Sequence, residues 1–324
     1  MKQKQRTFSE IETIVSEKNV LLVCDNVFDL LNLAFPFPYV RFSEFSINPL
    51  YEEVLQGVER FRQANSDFIL AIGGGSSLDV AKGIKFVLKK DIPILAVPTT
   101  AGTGSEATHF AVVYKNGEKH SLAKQYLLPD FVVLEPCFLN TLPIYQRKCT
   151  LLDALCQAIE SLWAKRRTFE SAGYARKAIE LIIENMDAYL SGSNESNAAI
   201  MQAAHLSGKA INLTTTTAPH AMSYKLTALY GLPHGHAVAL CLPKVWAYMG
   251  GFDEIAEVLG QKNHVVAIVW FENLLRKIGL VAPSNVSTKD LNRLVDSVNE
   301  QRLENNPVLL TKEEVRRIYQ KILL

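Results

Sequence analysis

Net charge is almost absent from this chain: 34 lysines and arginines stand against 33 aspartates and glutamates, a formal charge of +1. No basic run or aromatic-interleaved basic patch upsets that balance, which argues against the backbone attraction from which nucleic-acid binding starts. Long hydrophobic runs are missing too. No stretch of about 18 apolar residues occurs, so no membrane span is expected. The first residues, MKQKQRTFSE, have no apolar segment after their lysines, so a signal peptide is not expected either. Cysteine is sparse. Cys24, Cys137, Cys149, Cys156 and Cys241 are scattered and odd in number, with no CxxC pair, which fits small reduced core residues better than a disulfide framework or a zinc ribbon. Together these absences lead to the expectation of a cytoplasmic protein.

The composition that remains is ordinary globular usage, 48% hydrophobic and 21% charged. At 324 residues the chain is too long for one small core, so two domains are expected. In the first part, Val20 to Cys24, Phe68 to Ile72 and Ile92 to Val97 are short apolar runs bounded by turn residues. Between them, Leu50 to Gln63 and Ser77 to Leu88 have helical periodicity. This alternation predicts a mostly parallel sheet covered by helices, with ligands beyond the carboxyl ends of its strands. A fourth run, Phe131 to Leu134, is expected to close the sheet. From about Leu142 the character changes. Leu151 to Ala164, Phe169 to Leu190, Ala198 to Ile211, Phe252 to Leu259 and Val265 to Ile278 all read as helices. The expected division is an α/β domain over 1–143 and an all-helical domain over 144–324, with the boundary near Leu142 to Gln146, where a proline interrupts the pattern.

Three segments of the first half carry chemistry. In FILAIGGGSSLDVAKGI a strand runs into Gly73, Gly74 and Gly75 and then into a helix opened by Ser76 or Ser77. Glycines there let backbone approach a ligand closely, and free amides with the helix dipole favour an anion such as a pyrophosphate. The pattern is neither the GxGxxG fingerprint nor a P-loop, and it fits a plain tight turn as well. Asp79 lies one turn into that helix and could touch a ligand or merely favour the helix start. In AVPTTAGTGSEATHF, the hydroxyls of Thr99, Thr100, Thr103 and Thr108 could bind phosphates or a ribose, while Gly102, Gly104 and Ala107 match only a relaxed GxGxxA. Asp25 ends the first strand run, where a carboxylate can accept from ribose hydroxyls.

In the helical half, Asp153 and Gln157 are spaced i, i+4, so both side chains leave one helix face. His220 and His234, in loop-like small-residue surroundings, add two nitrogen donors. Four converging donors of this kind would hold a divalent cation. Glutamine offers only a neutral carbonyl oxygen, which suits hard cations and weakens a site for Zn²⁺ or Fe²⁺ relative to imidazole. His109, His120, His205 and His264 fit ordinary surface or core positions.

GGGSSLDVAK, PTTAGTGSE, LPDFVVLEP, DALCQAIES and HAMSYKLTALYGLPHGHA occur in the order and approximate spacing of the iron-containing, or group III, alcohol dehydrogenases. The chain resembles that family over nearly its whole length. The resemblance implies a dinucleotide-binding α/β domain followed by a helical domain, with NAD(P) and a divalent metal facing each other across a cleft. By position it implies that Gly73, Gly74, Gly75, Ser76 and Asp79 hold the pyrophosphate region. Thr99, Thr100, Thr103, Thr108 and Lys119 would contact the cofactor, and Asp25 matches the adenosine-ribose position. The implied metal ligands are Asp153, Gln157, His220 and His234, with Fe²⁺ the first expectation and Zn²⁺ the next. Two positions depart from the family pattern: Gln157 replaces a histidine, and Tyr224 stands where many members have a second histidine beside the nicotinamide. With QAIES, PHAMSY and PHGHAVAL, these changes resemble the subgroup of phosphonoacetaldehyde reductases, or hydroxyethylphosphonate dehydrogenases.

The implied activity is NAD(P)H-linked reduction of a small aldehyde, with Tyr224 and His234 as catalytic residues and Lys225 and Thr214 to Thr217 as partners for a phosphonate tail. The partners expected are therefore a small aldehyde or alcohol, neither nucleic acid nor membrane, and a second copy in a homodimer. Two alternatives stay open, another alcohol or polyol-phosphate dehydrogenase of the same fold and a nucleotide-binding relative that has lost catalysis.

Overall fold

The computed structural model describes residues 3–323, with the side chain of Gln301 excepted. It divides at Leu142 and Pro143 into two compact units. In the first, the strands are β1 (Lys4–Arg6), β2 (Val20–Cys24), β3 (Tyr39–Phe42), β4 (Phe68–Gly73), β5 (Ile94–Pro98), the hairpin strands β6 (Phe110–Lys115) and β7 (Glu118–Ala123), and β8 (Phe131–Val133). Helices α1 (Ile11–Ile14), α2 (Val27–Leu30), α3 (Tyr51–Gln63) and α4 (Gly75–Leu88) lie between them.

Six strands form one sheet in the order β1-β8-β5-β4-β2-β3, every pairing parallel. Strands β2, β4 and β5 are buried along their whole length, which is why they read as continuous apolar runs rather than as alternation. Their side chains nonetheless divide by parity. Leu21, Val23, Ile69 and Ala71 enter one core with Val54, Val58 and Ile84 of α3 and α4, while Val20, Leu22, Cys24, Leu70 and Ile72 enter the other with Ile11 and Phe28. The chain leaves β2 for β3 on one side and returns to β4 on the other. The crevice between the carboxyl ends of β2 and β4 is therefore the topological switch point, where open sheets of this class bind ligands.

Two sequence expectations change here, and one motif match loses its context. The run at Phe131 does not close the sheet, because β1 pairs beyond β8 and forms the edge. The segment after β5 leads not into an α-helix but into one 3-10 turn, Ser105–Ala107, and then the β6–β7 hairpin, so the GxGxxA match has no helix to serve. Helix α4 opens at Gly75 with Gly74 as its cap residue and no side-chain cap, so neither Ser76 nor Ser77 starts it.

The second unit consists of α5 (Ile144–Trp163), α6 (Phe169–Leu190), α7 (Asn197–Thr214), α8 (Ala218–Tyr230), α9 (His234–Met249), α10 (Asp253–Val258), α11 (His264–Ile278), α12 (Thr288–Asp296), α13 (Glu300–Leu303) and α14 (Lys312–Leu323), with no strand among the described residues. Helix α5 is its axis, buried from Leu151 to Trp163 and packed against α6, α7 and α9. Among the described residues no helix is long and apolar enough to cross a membrane.

The approach of α9 to α5 depends on Gly235. A Cβ there would overlap the Cys149 carbonyl oxygen and lie 2.9 Å from Asp153 Cβ. Gly235→Ala should therefore destabilise the protein by about 1–3 kcal/mol through overpacking against backbone that cannot yield. A lower urea midpoint at unchanged slope would show it, and an unchanged midpoint would contradict the close approach.

Candidate metal centre and glycine-turn site

Asp153 and His220 are buried and His234 is half-buried; His220 and His234 each stand at the start of a helix. Pro219 in the first turn of α8, Gly231 at its left-handed end (φ 65°) and Pro233 just before α9 explain why two helices start so close together. The loop-like surroundings expected for both histidines are in fact these helix starts.

One donor atom from each of Asp153, His220 and His234 falls within 4.8 Å of the others. His220 Nε2 is 3.3 Å and His234 Nε2 3.9 Å from Asp153 Oδ1. Ligands held about 2.0–2.2 Å from one ion are themselves about 3–4 Å apart, so this spacing fits a shared cation. His220 Nε2 is buried and, among the described residues, makes no hydrogen bond, which is what a nitrogen reserved for a metal looks like. The other nitrogen is fixed. His220 Nδ1 donates to Glu160 Oε1, and the second oxygen of that carboxylate accepts from Thr217 N at 2.6 Å and Thr217 Oγ1 at 2.8 Å. Trp163 Nε1 in turn donates to Thr217 Oγ1 at 2.8 Å. A carboxylate behind the imidazole selects the tautomer whose Nε2 lone pair is free for a metal. Burial disfavours the charged form of His220, but Glu160 and Asp153 outweigh it and raise its pKa to about 9.

Sequence reasoning missed Glu160, although its signal was present. Asp153, Gln157 and Glu160 recur at i, i+4 and i+7, the stripe of one helix face, and three polar residues in an otherwise apolar buried helix need a joint reason. Gln157 is buried on that face, and its Oε1 accepts from Ser207 Oγ at 3.2 Å. Tyr224 stacks on His234, ring centroids 5.5 Å apart and planes 6° apart, and its Oη accepts from Arg302 Nη1 at 2.7 Å. Arg302 was not singled out from the sequence. Three of the threonines proposed for a phosphonate tail are engaged elsewhere: Thr217 with Glu160, Thr214 Oγ1 with Ser161 Oγ at 3.0 Å, and Thr215 Oγ1 with Asn305 Nδ2 at 3.2 Å.

In the first unit, the carboxyl ends of β2, β4 and β5 collect the glycine turn, Asp25 and the threonine loop. Gly73 has φ 151° and no room for a Cβ beside Ser77, while an added Cβ at Gly74 would meet Thr100 Cγ2 at 3.3 Å and one at Gly75 would meet Thr103 at 3.0 Å. The first amides of α4 thus open where only bare backbone fits, a cradle suited to a phosphate or pyrophosphate. Asp25 lies at the switch point, with Oδ1 accepting from Val27 N at 2.9 Å and Oδ2 from Ser77 Oγ at 3.1 Å. Ser76 Oγ accepts from Asn48 N at 3.2 Å, Thr99 is buried with its amide on Gly73 O, and Lys119 lies on β7 opposite Tyr114.

Asp79 and Thr108 sit behind this cradle. Asp79 accepts from Ser105 Oγ at 2.7 Å and Val112 N at 3.0 Å, and buried Lys82 donates to Ser105 Oγ at 2.8 Å, Phe110 O at 2.8 Å and Thr108 Oγ1 at 3.3 Å. Burial raises the Asp79 pKa against the pull of Lys82, and burial lowers that of Lys82 to about 8. Buried Lys82 and half-buried Asp79 together anchor the threonine loop.

Two substitutions test the metal centre. Glu160→Gln should weaken divalent-metal retention about 10- to 100-fold in a chelator competition, because the imidazole loses its orienting anion. Gln157→His should tighten Fe²⁺ or Zn²⁺ in the same titration, and an unchanged affinity there would remove residue 157 from the ligand set.

Residues 2–136 match the iron-containing alcohol dehydrogenase family, and residues 148–323 match its C-terminal family. A phosphonoacetaldehyde reductase of Streptomyces viridochromogenes is 30% identical over 80% of this chain and 77% of its own length. An NAD-dependent methanol dehydrogenase of Bacillus methanolicus is 29% identical over 85% of this chain and 82% of its own length. The crystal structure of a sulfoacetaldehyde reductase from Bifidobacterium kashiwanohense in complex with NAD⁺ superimposes with a TM-score of 0.91 at 26% identity, covering 99% of this chain and 96% of that one. With both of its parts matched in order, the chain belongs to the iron-containing alcohol dehydrogenase family and is an oxidoreductase of alcohols and aldehydes.

Proposed function

We propose that the protein reduces a small aldehyde to its primary alcohol with NAD(P)H and a divalent metal, and that the aldehyde is phosphonoacetaldehyde, giving 2-hydroxyethylphosphonate. The observation that carries the metal-dependent reading is the buried Nε2 of His220, held toward Asp153 by Glu160 behind it. The reading of the substrate is supported by two relatives, one named for phosphonoacetaldehyde and one for sulfoacetaldehyde, each an aldehyde with an anionic tail.

When bound, the cation supplies a Lewis acid for the carbonyl oxygen and the reduced nicotinamide supplies the hydride. The chain's own residues do the rest. Asp153, His220, His234 and Gln157 hold the cation, Fe²⁺ in the first instance. The amides of the glycine turn hold the pyrophosphate, with Gly73, Gly74, Gly75 and Ser76 in contact. Thr99, Thr100, Thr103, Thr108 and Lys119 belong to the cofactor side, Asp25 takes a ribose hydroxyl, and Asp79 keeps the threonine loop in place. Tyr224 delivers the proton that the new alkoxide needs, so that aldehyde, hydride and proton balance to an alcohol and NAD(P)⁺. Burial raises the pKa of Tyr224, so the phenol keeps its proton at neutral pH, and Arg302, which donates to the same oxygen, stabilises the phenolate as the proton leaves. The five cysteines are free thiols, in keeping with work in the cytosol.

Elemental analysis combined with a panel of aldehydes against NADH and NADPH tests the activity. His234→Ala should reduce turnover below detection while NAD(P)H affinity, read by fluorescence titration, stays within about twofold, since the altered residue belongs to the metal side. A parallel collapse of cofactor affinity would refute that separation of roles.

A further inference from the structure

Arg302 lies on α13, a single turn whose position is set by two buried asparagines that follow it. Asn305 Nδ2 donates to Thr214 O at 2.8 Å and Thr215 Oγ1 at 3.2 Å, its Oδ1 accepts from Arg166 N at 3.1 Å, and Asn306 Nδ2 donates to Val308 O at 2.6 Å. Thr215 is held at φ 60°, a conformation that a β-branched residue adopts only when its surroundings impose it. The guanidinium is thus delivered to one place by an over-determined piece of backbone. There its Nη1 bonds the Tyr224 hydroxyl at 2.7 Å and its Cζ lies 4.9 Å from the centre of the Tyr224 ring, whose neighbour is His234 of the metal cluster.

Arg41, Arg167, Arg176 and Arg317 each pair with a carboxylate, whereas among the described residues no carboxylate pairs with Arg302, which bonds a phenol hydroxyl instead. A guanidinium has five N–H donors, and the Tyr224 bond uses one of them. A half-buried cation with donors to spare, positioned one aromatic ring away from a candidate metal ligand, is suited to an anion that arrives with the substrate.

We infer that Arg302 recognises the anionic tail of the substrate, accepting a tetrahedral oxyanion such as a phosphonate or sulfonate on its free N–H groups while the aldehyde end meets the cation. This rests on the aldehyde-reductase reading for the substrate's other end, and Arg302 then makes the site select charged two-carbon aldehydes over neutral ones of the same size. Lysine would keep the charge but lose the two-pronged fit.

The test is the ratio of kcat/KM for phosphonoacetaldehyde to that for propanal, in the metal-loaded wild type, Arg302→Met and Arg302→Lys. The ratio should be large in the wild type, fall about 10- to 100-fold in Arg302→Met through KM, and recover in part in Arg302→Lys, as expected for loss of a charge-assisted bond. An unchanged ratio, with both aldehydes losing equally, would mean that Arg302 acts through Tyr224 or the fold, and the inference fails. Calorimetry with methylphosphonate separates this from the activity. If the wild type binds it and Arg302→Met binds it more weakly by a similar factor, the anion site stands even should no aldehyde be reduced. Equal or absent binding overturns the anion site even where aldehydes are turned over.

Discussion

Glu160 has no exposed surface, yet it stands in the last turn of the longest-buried helix of the second unit. An isolated carboxylate there would cost several kcal/mol of lost hydration. It is tolerable because three donors converge on it, the imidazole of His220 and the amide and hydroxyl of Thr217. Those same bonds fix the start of α8 against α5 and aim His220 Nε2 at Asp153. The buried carboxylate is therefore both the debt and the device: the interactions that compensate its burial also set the ligand geometry. Gly235 completes the arrangement by letting α9 come close enough to bring His234 to the same point.

The first unit uses a buried lysine and the aspartate near it for a similar end. Lys82 and Asp79 leave one face of α4 and reach the loop after β5, where they bond Ser105, Phe110 and Val112. Loops seldom hold a fixed shape by propensity alone, and this one contains Gly102, Gly104 and four threonines. Its shape comes from the helix behind it. Thr100 and Thr103 are thereby pressed against the glycine turn closely enough that a methyl group on Gly74 would crowd Thr100 and one on Gly75 would crowd Thr103. An anion bound at the α4 amides would meet a preorganised surface rather than a mobile one.

The parallel sheet was legible because β2, β4 and β5 are buried on both faces and so appear as uninterrupted apolar runs. The edges were not. Strand β1 is KQR and half of β7 is polar, because an edge or hairpin strand with a solvated face carries little hydrophobic signal and is specified by its partner. Helices α8 and α9 escaped the periodicity reading for a different reason. Both are buried over much of their surface, so an amphipathic stripe is absent, and prolines at their starts look like loop punctuation when no structure is in view. In the metal cluster, Asp153, His220 and His234 were legible as donor types at suggestive spacing. Glu160 was in plain sight on the same helix face but reads as a surface acid until its burial is known. Arg302 could not be found at all from sequence, since its meaning lies in what it touches 78 residues away.

Charge arithmetic ties these observations together. Asp153 and Glu160 place two carboxylates within reach of one buried imidazole, and against the cost of its burial they raise the pKa of His220. A proton on His220 answers only one of the two carboxylates. A divalent cation with neutral imidazoles would answer both and would displace that proton, so the enclosure is matched to a double charge rather than a single one. With Gln157 as the fourth ligand, as proposed, in place of the histidine that the family resemblance implies, this count would stand, because amide and imidazole are both neutral as ligands; what would change is softness, in favour of harder cations. Tyr224, in place of the histidine that the family resemblance implies, has the opposite character. It removes a group that could carry positive charge and provides a phenol oxygen on which Arg302 docks, so positive charge beside the cluster is moved from a titratable ring to a permanent guanidinium.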